Sequence, residues 1–180
     1  GVLMEGLTGT NTLNNAATGS ISADGDEGYA FAVMGSDAVE TINNSGDILG
    51  AVSLYGGDDV FNNRSGGLWD VGGTRSSNFG TGNDTINNFA GGLIQFDDGA
   101  ITLGGGTANA FTNHGMISVS GDTNVIDMGG DGATMNTVAF TNVNTISFLD
   151  GHTDDALSIV GHLGGTGSLG LDVDFADESS

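Results

Sequence analysis

Thr41-Ile42-Asn43-Asn44-Ser45-Gly46-Asp47-Ile48 sets a pattern: an apolar residue, two amides, a glycine-bearing turn, then a second apolar residue. Related triplets occur at Leu13-Asn14-Asn15, Phe61-Asn62-Asn63, Ile86-Asn87-Asn88, Phe111-Thr112-Asn113 and Phe140-Thr141-Asn142. The second polar position is Asn at 15, 44, 63, 88, 113 and 142, at intervals of 29, 19, 25, 25 and 29 residues. A recurrence with a period of 20 to 50 residues is the mark of a repeat architecture, in which each unit buries its apolar face only against its neighbours.

Each triplet leads into a turn and a second apolar stretch: Gly46-Asp47-Ile48, Gly66-Gly67-Leu68, Gly91-Gly92-Leu93 and Gly115-Met116-Ile117. A third stretch follows in places, as in Val52-Ser53-Leu54, Ile101-Thr102-Leu103 and Val125-Ile126-Asp127-Met128. A unit therefore reads as two or three short strands separated by Gly, Asn and Asp turns, which is one coil of a solenoid. Stacking coils at about 4.8 Å pairs each strand with its equivalent above and below. Leu13, Ile42, Phe61, Ile86, Phe111 and Phe140 would then superpose as an interior stack, with the Asn column at a corner forming an amide ladder. The expected fold is an all-β, right-handed parallel β-helix of about seven coils, a rod on the order of 34 Å long. One domain spans 1–180, with the main repeats over 11–147 and divergent coils over 148–180. An antiparallel β-sandwich is the alternative for short strands between turn signals. It gives no reason for one signature to recur.

Composition agrees. The 180 residues include 34 Gly and neither Pro nor Cys, so tight turns are abundant while collagen and disulfide frameworks are excluded. Arg64 and Arg75 are the only basic residues against 23 acids, for a formal net charge of −21. Nucleic acid and anionic membrane are poor partners for such a surface. No segment reaches transmembrane length. Hydrophobic residues at 37%, regularly placed, argue against disorder. No leader peptide opens the chain, and Gly1 reads as the start of an excised or processed fragment.

Candidate chemistry lies beside the repeat. Four positions before each conserved-place Asn stands a column of Asn11, Glu40, Asp59, Asp84, Asn109 and Val138. The glycine-rich turns Gly56-Gly57-Asp58-Asp59 and Gly80-Thr81-Gly82-Asn83-Asp84 precede it, and the second matches the later part of a calcium-roll repeat. Asp58, Asp59, Asn83 and Asp84 are accordingly the candidate Ca²⁺ ligands, hard oxygens on tight turns. True calcium rolls repeat every nine residues, so ordinary turn chemistry is the competing reading. Asp97-Asp98, Asp154-Asp155 and Asp172/Asp174/Asp177 offer paired carboxylates for glycoside chemistry, although a chain this acidic forms such pairs by chance. His114, His152 and His162 sit in turn-like contexts without metal-ligand spacing. Gly165–Gly170 spells G-x-G-x-x-G but no amphipathic helix follows it, so it is not a dinucleotide loop. Sequons at Asn43, Asn63 and Asn83 are by-products of Asn-rich corners. Trp69, Tyr29, Tyr55, Phe79 and Phe96 read mostly as core or corner packing.

The segments Thr41–Ile48, Gly57-Asp58-Asp59-Val60-Phe61-Asn62-Asn63 and Thr85-Ile86-Asn87-Asn88 resemble the repeats of a classical (type V) autotransporter passenger region. The tail from Phe148 to Phe175 resembles the stretch just before the C-terminal barrel of that family. The resemblance implies a β-helix exported across an outer membrane and displayed or released. Such passengers include adhesins, self-associating factors and some enzymes carried as inserted domains; nothing here resembles an inserted protease domain, and a non-enzymatic structural or adhesive role at the bacterial cell surface is the expected function. Expected partners are copies of the chain itself, another cell, or a matrix polymer. A carbohydrate-active enzyme and a Ca²⁺-stabilised binding module are the alternatives. No cofactor other than Ca²⁺ is implied.

Overall fold

The computed structural model describes residues 1–23, 31–72, 75–130 and 139–172. They form three parallel sheets of seven strands each, with no helix among the described residues. The chain visits the sheets in strict rotation. Sheet 1 contains Val2–Leu3, Val33–Met34, Val52–Ser53, Ser77–Asn78, Ala100–Thr102, Asn124–Asp127 and Leu157–Val160. Sheet 2 contains Thr10–Asn15, Val39–Asn44, Val60–Asn63, Thr85–Asn88, Ala110–Asn113, Ala139–Asn142 and His162–Gly165. Sheet 3 contains Ser20–Ser22, Asp47–Leu49, Leu68–Asp70, Leu93–Asp97, Met116–Ser120, Thr145–Ser147 and Ser168–Gly170. This is the expected parallel β-solenoid, with seven rungs and six steps between them. The antiparallel sandwich is overturned, because every strand pair is parallel and in register with its equivalent one rung on.

Sequence alternation explains which side chains turn inward. In Val39–Asn44 the buried positions are Glu40, Ile42 and Asn44, every second residue, as a strand requires. Register then superposes these positions. Leu13, Ile42, Phe61, Ile86, Phe111 and Phe140 pair rung to rung, and all but Leu13 are fully buried. On sheet 3 the matching stack is Ile21, Ile48, Trp69, Ile94, Ile117 and Ile146. The Phe61 and Trp69 rings meet at 4.2 Å between centroids, and Phe79 closes the group at 6.5 and 6.4 Å. Ring pairs in this range add packing energy beyond their buried area.

The third strand is present in every rung, including those whose sequence hides it. Ser77–Asn78 is the clearest instance. Ser77 is fully buried in an otherwise apolar column, and its hydroxyl accepts the Val52 N–H at 3.1 Å. Unequal repeat lengths leave the register intact. The two 29-residue intervals contain 24–30 and 131–138, which lie outside the described residues.

Candidate functional site

Two columns of polar side chains line the solenoid, one at each end of sheet 2. At its C-terminal end stands the Asn column. Asn15, Asn44, Asn63, Asn88, Asn113 and Asn142 are all buried, at 7% exposure or less. From Asn15 to Asn113 each Nδ2 donates to the Oδ1 of the next rung, at 2.8, 3.0, 3.0, 2.7 and 2.8 Å in order. The same amides donate to main-chain carbonyls across the corner, those of Asp47, Leu68, Leu93, Met116 and Thr145. The ladder thereby closes the corner and clamps consecutive rungs. A buried amide satisfied on both sides stabilises, while a half-satisfied one is costly.

The first Asn of each triplet faces outward and forms a second ladder. Asn43 donates to Asn14, Asn62 to Asn43, and Asn87 to Asn62, at 2.9 to 3.1 Å. Its donors point toward the N-terminal rungs, whereas those of the inner ladder point toward the C-terminal rungs. The Arg64 guanidinium caps Asn43 Oδ1 at 2.6 Å.

At the N-terminal end of sheet 2 stands the acid column. Glu40, Asp59 and Asp84 are fully buried, and Asn109 is 1% exposed. Here the bond runs from main chain to side chain. The N–H of Glu40 donates to Asp59 Oδ1 at 2.7 Å, that of Asp59 to Asp84 Oδ1 at 2.9 Å, and that of Asp84 to Asn109 Oδ1 at 2.8 Å. Glu40 Oε1 accepts from Asn11 Nδ2 and the Ser36 hydroxyl, at 2.8 and 2.9 Å. The other oxygens, Glu40 Oε2, Asp59 Oδ2 and Asp84 Oδ2, are buried with no hydrogen-bond partner. Burial pushes the Asp59 carboxyl up to about 8, helped by repulsion from Asp84 and Glu40 and opposed by the Glu40 N–H. Burial likewise lifts Asp84 to about 7, with Asp58 adding repulsion and the Asp59 N–H opposing. Val138 of this column lies outside the described residues.

The four candidate Ca²⁺ ligands divide between two faces of this corner. Asp59 and Asp84 point inward. Asp58 and Asn83 stand on the outer side, where Asp58 Oδ1 accepts the Asn83 N–H at 2.8 Å and Asn83 Oδ1 accepts the N–H groups of Thr107 and Ala108. Two of the turn carbonyls are also engaged, Tyr55 O by Thr81 N–H and Gly80 O by Gly105 N–H. Among the described residues no three His, Asp or Glu side chains group as a metal site. The glycines of these turns have a steric cause. Gly80 has a φ of 88°, and a Cβ there would lie 1.6 Å from the Tyr55 carbonyl oxygen of the rung below.

The remaining acids are also distributed. Asp97 and Asp98 are exposed at the end of a sheet 3 strand. Asp98, at a φ of 52°, accepts from the Thr123 hydroxyl and N–H, which holds its carboxyl below the ordinary range. Near the C-terminus, Asp155 lines a cleft of about 330 Å³ with His152, Asp172 and a wall of Phe148, Leu157, Leu169 and Leu171. Asp155 is raised by desolvation, while Asp150 is lowered chiefly by the His152 N–H. Asp174, Asp177 and Tyr29 lie outside the described residues. His114, His152 and His162 are exposed and spread over three rungs. The asparagine of the Asn63 sequon is fully buried in the inner ladder. Trp69, Phe79 and Phe96 are core residues, whereas Tyr55 is half exposed with a φ of 68°.

No family model, curated protein or solved structure matches the chain.

Proposed function

We propose that the chain is a stiff acidic rod with a structural or adhesive role on the outside of a bacterial cell, in the manner of an autotransporter passenger. What supports this most is the in-register run of all three sheets, with an inner amide ladder that links the first six of the seven rungs. Such a scaffold resists bending and presents long flat faces. The acidic surface keeps separate rods apart laterally at low salt. The end rungs carry unpaired strand edges, among the described residues, and favour coaxial association with a second copy. Negative-stain electron microscopy over a concentration series tests this reading. Rods that lengthen with concentration support it, and dispersed rods of one short length at every concentration would sink the self-association.

A second reading is favoured by one observation. Asp155, which lines the cleft with His152 and Asp172, is pushed up, while the neighbouring Asp150 is pushed down, the separation of roles that acid–base catalysis on polysaccharides uses. Polysaccharide cleavage by the native chain that disappears in Asp155→Asn would establish it.

A further inference from the structure

The outer face of sheet 2 is unlike the rest of this acidic molecule. Its outward side chains form two columns in register from rung to rung. Over the second to fourth rungs one column is Thr41, Val60 and Thr85, and the other is Asn43, Asn62 and Asn87. Through the first six rungs no charged side chain stands in either column, although the chain carries 23 acids. The outer faces of the other two sheets carry Asp47, Asp70 and Asp127. Asp58 borders the uncharged face at the corner before Val60, and Arg64 borders it at the opposite corner, bonded to Asn43.

The face is rigid before anything binds it. Asn62 donates to Asn43, and Asn87 to Asn62, at 3.1 and 3.0 Å, so each amide holds the rotamer of the next. Thr and Val are β-branched and stiff at χ1. The Thr41 and Thr85 hydroxyls bond to no protein group among the described residues, which leaves them for a ligand. The groups repeat at about 4.8 Å between rungs and about 6.7 Å between alternate residues of a strand. Water in tetrahedral geometry with hydrogen bonds of about 2.8 Å has second neighbours about 4.5 Å apart. The mismatch is about 0.3 Å per rung, or about 1 Å across four rungs.

We propose that this face binds crystalline water: the Thr hydroxyls and Asn amides join a plane of ice, and the Thr and Val methyls sit against its cages. The proposal goes beyond the structural or adhesive reading and does not depend on it. Other occupants fit less well. An anionic partner would meet no cation in the columns of the first six rungs. A second copy laid face to face would bury about 300 Å² per partner, for a face about 34 Å by 10 Å, against the roughly 800 Å² of a stable interface. A sugar polymer would find no aromatic ring in these columns through the first five rungs, since Trp69, Phe79 and Phe96 are in the core.

The test compares the native chain with Thr85→Lys, in the middle of the face, and with Ser118→Lys, half-buried on the outer face of sheet 3. Each is frozen slowly on a cold finger, its partition between ice and liquid is measured, and single ice crystals are watched for faceting and delayed growth below the melting point. Circular dichroism confirms the fold of each, and Thr112→Tyr stands in should Thr85→Lys fail to fold. The native chain and Ser118→Lys should enter the ice and facet the crystals, and Thr85→Lys should lose both effects. Exclusion of the native chain from ice would overturn the proposal, and so would equal uptake of all three proteins. Retention on insoluble neutral glucan that Thr85→Lys abolishes, without any effect on ice, would assign the face to a sugar polymer and overturn it as well. Rod length in the electron microscope bears only on self-association and leaves the ice result unchanged.

Discussion

Replacing Asn88 by alanine should damage the molecule far more than replacing its neighbour Asn87. Asn88 is fully buried, donates to Asn113 Oδ1 at 2.7 Å and to the Met116 carbonyl at 3.0 Å, and accepts from Asn63 at 3.0 Å. Alanine leaves two acceptors without this donor in a place water does not reach. At about 1–3 kcal/mol for each buried group left unpaired, the loss comes to about 3–4 kcal/mol. Asn63 Nδ2 keeps the Gly67 and Leu93 carbonyls and adds little. Asn87 stands on the outer ladder with one bond to Asn62 Oδ1, and water can replace it, so Asn87→Ala should cost about 0.5–1 kcal/mol. Urea unfolding monitored by fluorescence of Trp69, the single tryptophan, buried against Phe61, reads both variants two rungs or fewer from the change. An Asn88→Ala cost below about 1 kcal/mol, or one no larger than that of Asn87→Ala, would refute the assignment of the inner ladder as the clamp between rungs.

Four further outcomes follow from the same structure. Gly80→Ala should abolish the cooperative transition seen by circular dichroism, because its Cβ meets the Tyr55 carbonyl at 1.6 Å. Gly9→Ala, with a φ of 89° and open space around it, should cost only about 1–2 kcal/mol for the left-handed conformation. Trp69→Ala should lower stability by about 3–5 kcal/mol, and a smaller loss would mean that the lumen collapses around the gap. Thr123→Val should bring the Asp98 carboxyl part of the way back up in an NMR titration, and an unchanged value would mean that the Thr123 hydroxyl is not what lowers it.

The fold was legible because the strongest signals in the chain are periodic. The Ile42-Asn43-Asn44 triplet and its equivalents marked one strand and one corner per coil, and the intervals of 29, 19, 25, 25 and 29 residues are those spanned by the ladder bonds. The third strand was only partly visible, since Ser77–Asn78 carries no apolar residue, and its burial depends on a neighbour's N–H. At the acid column, Glu40, Asp59 and Asp84 look like turn carboxylates, and acids are seldom found fully buried. The alternation Glu40, Ile42, Asn44 held the missing information, because residues two apart in a strand share a face. Asp58 and Asn83 sit next to the column in sequence but on its other side, for the same reason.

The parallel in-register stacking of the rungs can be tested by cross-linking, since the chain has no cysteine of its own. Thr112 and Thr141 are register partners on neighbouring rungs of sheet 2, with side chains on the outer face. At about 4.8 Å between paired strands, cysteines at both places fall within disulfide reach, whereas Thr112 paired with position 143 is separated by about 8 Å. The Thr112→Cys/Thr141→Cys chain should form an intramolecular disulfide on mild oxidation, and Thr112→Cys/Val143→Cys should not. A disulfide in the second pair, or in neither, would contradict the solenoid.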